Sequence, residues 1–411
     1  MSVTHEPTSA LLSPFPEGWY FVADRRSLDK NKLIEKTWMG EKIVIWSDES
    51  GDVCVAEAYC PHLGADLGPR AGGRVRGGRL VCPFHGFEYD AGGQCVATPY
   101  APPPKYARLR VFETRELVGL IFAWWGIGGR APQWDLPAEV PDQTGWGEVR
   151  IWTSRFAGHP QETTENAVDM AHLRHIHGYD GVKRVEPVSI DGHRLKSRFD
   201  FITTRRFAGI PLVTLDVAAE ADICGLGYSF VDVFERSIGM NMRLWVLATP
   251  VDGKLIDLSV VSQVREIRKP NRWFAGLGFL LPKRRAPVMN RLVLAYQRRD
   301  VLQDVVVWSH KRPVPNPRLA RSDGEIMAYR RWCAQFYPET PVSVGDGHQS
   351  ATHRQPTAMQ PTPVEPAQAQ PTATNRQPTP MQPTPMQPTA SQPTASQPTT
   401  NQPTTTRPAA N

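Results

Sequence analysis

The stretches Cys60-Pro-His62, within CPHLGADL (60–67), and Cys82-Pro-Phe-His85, within CPFHGFEYDAGGQCVATPYA (82–101), decide how this chain is read. Each puts one sulfur and one nitrogen ligand on a short loop, and 19 residues separate His62 from Cys82. A common zinc finger pairs like with like, two cysteines and then two histidines. Mixed pairs instead suit a two-iron, two-sulfide cluster in which two cysteines bind one iron and two histidines the other, each loop serving both metals. Imidazoles in place of two thiolates reduce the negative charge around the cluster and raise its reduction potential. Gly64, Gly72, Gly73, Gly77 and Gly86 nearby let the backbone turn tightly. A zinc site is the competing reading, and the spacing, the flanking prolines and the strand-rich context count against it. Cys54, Cys95, Cys224 and Cys333 lack such spacing and read as ordinary partly buried cysteines.

Outward from these loops, residues 18–126 read as short strands: WYFVAD, KIVIWSD, VCVAEAYC, RLVCPFH, FEYD and LVGLIFAWW, several separated by glycine turns. Such a pattern predicts a small all-β domain. Residues 127–150 are rich in Gly, Pro and Trp and read as a connector. Within 151–340 a helix-like stretch, Glu162 to His177, precedes the alternating runs LKSRFDFITT, PLVTLDVAA, GYSFVDVFE, MNMRLWVLATP and LIDLSVVSQVRE. Helices are predicted at Val288–His310 and around Gly324–Phe336. The fold class is α+β, with an antiparallel sheet and helices in the second domain.

The ends differ from this body. Residues 1–17 form an N-terminal extension without the basic start and apolar core of a secretory signal. Of the 39 prolines, 14 lie from Asp346 onward, where Gln-Pro-Thr recurs every five residues from Gln377 to Gln402 and no aromatic residue occurs. Such a segment cannot offset its ordering entropy by burial, so 341–411 reads as a disordered tail. The net charge of +6 comes without a long basic run, which argues against nucleic-acid binding and leaves room for an acidic protein partner. No apolar run reaches the ~20 residues of a membrane-spanning helix, and the sparse cysteines suit a reducing, cytoplasmic setting.

A second constellation lies in ENAVDMAHLRHIH (165–177), where Asp169, His172 and His177 follow the spacing D-x2-H-x4-H. Asp169 and His172 share a helix face, whereas His177 lies off it, so the helix must bend or end there, and Gly178 fits a break. Two histidines and a carboxylate on one side of a metal leave positions open for dioxygen and substrate, the arrangement of non-haem Fe(II) oxygen chemistry. The carboxylate must come from afar. Asp304 is one candidate and Asp300, a turn earlier on the same face, is its rival; spacing alone does not choose between them.

With both constellations in order, the chain resembles the Rieske non-haem iron oxygenases over roughly residues 18–340. Within them it is most similar to the steroid-acting group, the oxygenase component of 3-ketosteroid 9α-hydroxylase and the cholesterol 7-desaturases. LQDVVVWSHKRPVPNPRLARSDGEIMAYRRWCAQFY (302–337) adds to the motifs already quoted. The resemblance implies a Rieske [2Fe-2S] cluster on Cys60, His62, Cys82 and His85, and a helix-grip catalytic domain. It also implies a mononuclear Fe(II) on His172, His177 and Asp304, the aspartate of a Gln-Asp-x3-Trp segment. Asp169 would be a bridging carboxylate between metal centres across a subunit boundary, with Asn166 behind the ligands. The implied reaction is O2-dependent hydroxylation or desaturation of a steroid or similar hydrophobic substrate. NAD(P)H would supply electrons through a ferredoxin or a flavin/iron-sulfur reductase to a homotrimer. Leu63 after His62, where ring-hydroxylating dioxygenases usually have Arg, favours the hydroxylase and desaturase side. Phe87 departs from the Trp common after His-Gly.

Two further readings stand beside this one: an oxygenase for an aromatic acid, quaternary amine or natural-product scaffold, and a non-catalytic Rieske electron carrier. The apolar Trp273–Leu281 stretch, with basic flanks, reads as a lid or core helix over the substrate channel. Its alternative is a weak peripheral contact with an anionic bilayer.

Overall fold

In the computed structural model, residues 12–137, 143–207, 210–267, 269 and 276–338 are described. The expected tail, 341–411, and most of the extension lie outside them, as do residues 273–275 of the apolar stretch.

Three small antiparallel sheets build the first part. One orders Gly18–Asp24, Leu120–Trp125 and Thr114–Leu117; a second orders Leu33–Trp38, Glu41–Ser47, Val53–Glu57 and Val111–Phe112. The third orders Arg74–Arg76, Arg79–Val81, Glu88–Tyr89 and Cys95–Ala97. LVGLIFAWW is a hairpin rather than one strand. Val118 and Gly119 both take positive φ (54° and 74°), the two-residue turn whose twist suits paired strands. The part expected to be all-β also carries an α-helix, Arg25–Asn31, capped by Asp24, and a 3-10 turn, Pro69–Ala71.

An eight-stranded antiparallel sheet forms the second part, ordered Arg150–Ala157, Leu255–Ile267, Met240–Pro250, Tyr228–Glu235, Ile210–Cys224, Arg194–Phe207 and Asp180–Arg184, with Ser189–Asp191 also paired to Arg194–Phe207. The run MNMRLWVLATP is apolar at nearly every position because both of its faces are covered. Met240, Met242 and Leu244 pack with Met289 and Val293 of the long helix, whereas Trp245 and Leu247 pack with Trp19, Phe122 and Trp124 of the first small sheet. Alternate residues of a strand point to opposite faces, so one strand joins both parts. The connector participates as well: Trp134 packs against Trp124, and its carbonyl accepts the Trp19 indole N–H at 2.9 Å.

The long helix runs Pro282–Trp308, starting six residues before the sequence expectation. Pro282 occupies its first turn, where no N–H is needed. Pro287 is absorbed in the second turn rather than marking the start. Its inner face carries Met289, Val293, Asp300, Val301, Asp304 and Trp308, all buried. Trp308 stacks on Phe156 at 5.9 Å and fixes the helix's end to the sheet. The expected helix from Glu162 to His177 is three pieces: Pro160–Thr164, a 3-10 turn Glu165–Ala167, and Met170–His175. Asp169 breaks it, extended (φ −86°, ψ 99°), and caps the last piece with its own carboxylate. Beyond lies Ile326–Cys333, continued by a 3-10 turn Ala334–Phe336.

Candidate metal centres

The two Cys–His loops are built alike. The N–H of Cys60 donates to the Ala65 carbonyl and that of Gly64 to the Cys60 carbonyl, both at 2.8 Å; Cys82 pairs with Phe87 at 2.8 Å and Gly86 with Cys82 at 3.1 Å. Four residues past each cysteine the chain therefore needs a left-handed residue, and Gly64 (φ 74°) and Gly86 (φ 70°) supply it. The loops bring both thiols into one buried wall and set the His62 and His85 rings 4.8 Å apart. Both Nδ1 atoms are buried without a hydrogen-bond partner. Two buried thiols and two orphaned imidazole nitrogens are the donor set that a [2Fe-2S] cluster with mixed ligands requires. Burial pushes the Cys82 thiol above its ordinary value, so its thiolate calls for a bound cation.

The surroundings are apolar with one polar contact. Phe87 stacks on His62 at 4.4 Å, so the departure from Trp alters a packing partner and leaves every expected ligand in place. Tyr89, fully buried, has its hydroxyl 3.0 Å from Cys60 Sγ. Leu63 and Phe84 cover the imidazole end and are 65% and 62% exposed, which puts that end at the surface. The remaining cysteines are fully buried rather than partly, and burial pushes the Cys54 and Cys224 thiols up to about 12.

His172, His177 and Asp304 converge, with one donor atom from each lying within 4.8 Å of the others. His172 sits on Met170–His175. His177 follows that helix's end, just before Gly178 takes a left-handed turn (φ 65°). Asp304 comes from the long helix. His177 Nε2 lies 3.3 Å from Asp304 Oδ2, and Asp304 Oδ1 is buried without a partner. Both rings are held by their other nitrogen, as metal-binding imidazoles commonly are. His172 Nδ1 donates to the Asp169 carbonyl at 2.5 Å, and His177 Nδ1 donates to Gln303 Oε1 at 3.0 Å. Burial pushes His172 below its ordinary value. Burial also lowers His177, but the hydrogen bond and charge of Asp304 outweigh it and leave it raised. An orphaned carboxylate oxygen facing two oriented imidazoles fits a divalent iron.

Asp300 is not in this group. It is buried, accepts the Tyr179 hydroxyl at 2.8 Å, and so ties the segment after His177 to the long helix. Asp169 contributes its carbonyl to His172. Its Oδ1 caps the helix by accepting from Ala171 N (2.9 Å) and His172 N (3.3 Å), and its side chain is 35% exposed. Asn166 stands half-buried on the 3-10 turn, and no side-chain hydrogen bond links it to the three ligand candidates among the described residues. Behind this turn, Arg330 forks onto the buried Glu165 (2.6 and 3.1 Å) and Lys311 pairs with Glu162. Gln303, Tyr179, Tyr89 and this ion-pair network escaped the sequence reading. Gln303 adjoins Asp304 and Tyr179 follows His177 by two residues, but only the fold brings the two segments together.

Comparison with known proteins identifies both parts of the chain. Residues 18–113 match the Rieske [2Fe-2S] domain and residues 123–337 match the 3-ketosteroid 9α-hydroxylase C-terminal domain. A cholesterol 7-desaturase of Caenorhabditis elegans is 29% identical over 368 residues, covering 82% of this chain and 80% of that protein. The oxygenase component of a 3-ketosteroid-9-alpha-monooxygenase from Mycolicibacterium smegmatis is 27% identical, covering 84% and 88%. Among solved structures, dicamba monooxygenase bound to dicamba superposes with a TM-score of 0.60 at 18% identity, over 78% of this chain and 96% of that one. That last likeness concerns the fold. With the catalytic-domain match spanning more than half of the chain, this protein belongs to the family of Rieske oxygenases with a 3-ketosteroid 9α-hydroxylase C-terminal domain, and is a terminal oxygenase that uses a [2Fe-2S] cluster, non-haem iron and O2.

Proposed function

We propose that this oxygenase hydroxylates or desaturates a C–H bond of a sterol- or steroid-like substrate, with Cys60, His62, Cys82 and His85 holding the cluster and His172, His177 and Asp304 the mononuclear iron. The observation that carries the reading is the convergence of those last three side chains around an orphaned carboxylate oxygen, beside an apolar interior. When bound, the cluster stores one electron at a time from a reductase or ferredoxin, and the mononuclear iron activates dioxygen beside the substrate.

The chain's own residues do the rest. The Asp169 carbonyl and Gln303 Oε1 accept from the two Nδ1 atoms and so keep both imidazoles oriented. Trp308 locks the helix that carries Asp304. Between sheet and helix, Met240, Met242, Leu244, Met289 and Val293 with the partly buried Phe199 and Phe201 offer apolar surface, which excludes water and suits a hydrophobic substrate. Tyr179 stacks on Phe201 at 4.5 Å and connects this surface to His177. In this reading Asp169, with a partly exposed carboxylate, links the iron to the cluster of a neighbouring subunit in a homotrimer. Six unpaired cysteines suit the cytoplasm. No helix among the described residues is long and apolar enough to cross a membrane. Of the stretch read as a lid, Leu277 is buried while Phe279 and Leu281 are exposed, which accommodates a peripheral lipid contact as well as a channel cover.

Turnover with a reconstituted reductase, offering sterols, 3-ketosteroids and aromatic acids side by side, tests the substrate class. Mass spectrometry should find a steroid product that has gained one oxygen or lost two hydrogens; conversion of the aromatic acids alone would refute it.

A further inference from the structure

The two imidazoles of the proposed iron site are oriented by different means. His172 lies on Met170–His175, and a backbone carbonyl, that of Asp169, accepts from its Nδ1 at 2.5 Å. No substitution of a side chain removes that acceptor. His177 lies past the helix's end, between the cap residue Ile176 and the left-handed Gly178, and its Nδ1 turns away to the long helix and meets Gln303 Oε1 at 3.0 Å. Gln303 precedes Asp304 in sequence, so one helical segment supplies both an orienting group and a candidate ligand. Its amide oxygen accepts from Nδ1 without bringing a charge, and this turns Nε2 toward Asp304 Oδ2, 3.3 Å away.

We propose that Gln303 is the positioning residue of the mononuclear centre, its amide oxygen holding the His177 ring so that Nε2 faces the metal position. The inference rests on reading His172, His177 and Asp304 as the iron site. Gln303 itself touches neither metal nor substrate. It acts through His177, so its loss weakens the hold on the metal and turns a ligand, while the cluster is unaffected.

The test uses the full-length holoprotein and the variants Gln303→Leu, which removes the acceptor, and Gln303→Glu, which retains it. Ferrous affinity of the mononuclear site is measured by competition with a chelator. The EPR spectrum of its nitric oxide adduct reports ligand orientation, and the visible spectrum of the cluster reports folding. Gln303→Leu is expected to lose roughly 10–100-fold in ferrous affinity and to change the nitric oxide spectrum, with the cluster spectrum intact. Gln303→Glu, which keeps the acceptor but adds a charge, is expected to hold ferrous affinity at or above the wild-type level and to keep the ligand orientation. Should Gln303→Leu also lose the cluster spectrum, Gln303→Asn, too short to reach His177, takes its place with the same expectation. Wild-type affinity and spectrum in the variant lacking the acceptor would overturn the proposal, as would equal loss in Leu and Glu variants. Wild-type protein with a full cluster and no ferrous binding at the triad would overturn the site reading and the proposal with it.

Discussion

At the scale of single residues, the proposed centres depend on hydrogen bonds from groups that do not themselves hold metal. Tyr89 is the plainest case for the cluster. A hydrogen bond to a cysteine sulfur stabilises the more negative, reduced state, and a net bond of about 1 kcal/mol corresponds to roughly 40 mV for one electron. Tyr89→Phe should therefore lower the cluster's midpoint potential by that order in a spectroelectrochemical titration, and an unchanged potential would show that the 3.0 Å contact to Cys60 is idle. Asp300 and Asp304 make a second case. Both are buried on one helix face, so periodicity could not rank them, and the family resemblance rather than spacing favoured Asp304. The tertiary contacts separate them, because Asp300 accepts from Tyr179 while Asp304 retains an unpartnered oxygen. Asp300→Ala leaves the Tyr179 hydroxyl buried without that acceptor, a loss of about 1–3 kcal/mol. It should lower the denaturation midpoint and keep the mononuclear iron; loss of iron from a folded variant would contradict this division of roles.

Among elements, legibility tracked how local the causes were. The Cys–His loops were readable because ligand, turn and glycine all fall within six residues, and the same turn occurs twice. The long helix was seen from Val288, but it begins six residues earlier and absorbs Pro287. The strand Arg150–Ala157, paired along its length with Leu255–Ile267, was passed over at the start of the second domain because its partner lies a hundred residues on. The broken helix near the triad came from taking Asp169 as a helical residue when it is a cap. Another cap bears on pH. His159 Nδ1 accepts from Gln161 N–H at 3.1 Å while its Nε2 donates to the Ser13 carbonyl at 3.0 Å, so the neutral ring begins Pro160–Thr164. Burial holds His159 below its ordinary value of 6.5, outweighing the Ser13 bond and the charge of Glu162. A depressed histidine contributes stability that is full above the unfolded value and lost as pH falls from there through the folded one. Thermal unfolding followed from pH 7 to 5 should thus lose more in the wild type than in His159→Asn, whose cap does not titrate in that range. Parallel curves would dismiss the cap as the cause.

For the whole molecule, the two candidate metal centres stand on two kinds of sheet on one chain. The cluster's loops stand among small sheets, and the triad stands where a long helix crosses a large one. The strand Met240–Pro250, covered by the helix on one face and by tryptophans of the first sheet on the other, binds these parts together. Because both of its faces are buried, apolar residues fall on both, and the pattern did not announce which face served the site. The central claim is that the triad is a metal centre distinct from the cluster and required for oxygenation. Iron analysis, visible spectroscopy and turnover of Asp304→Ala test it most directly. Wild-type protein should carry about three irons per chain, two of them in the cluster. The variant is predicted to lose about one iron and all product formation while its cluster spectrum persists. Unchanged iron content together with unchanged turnover would contradict the account.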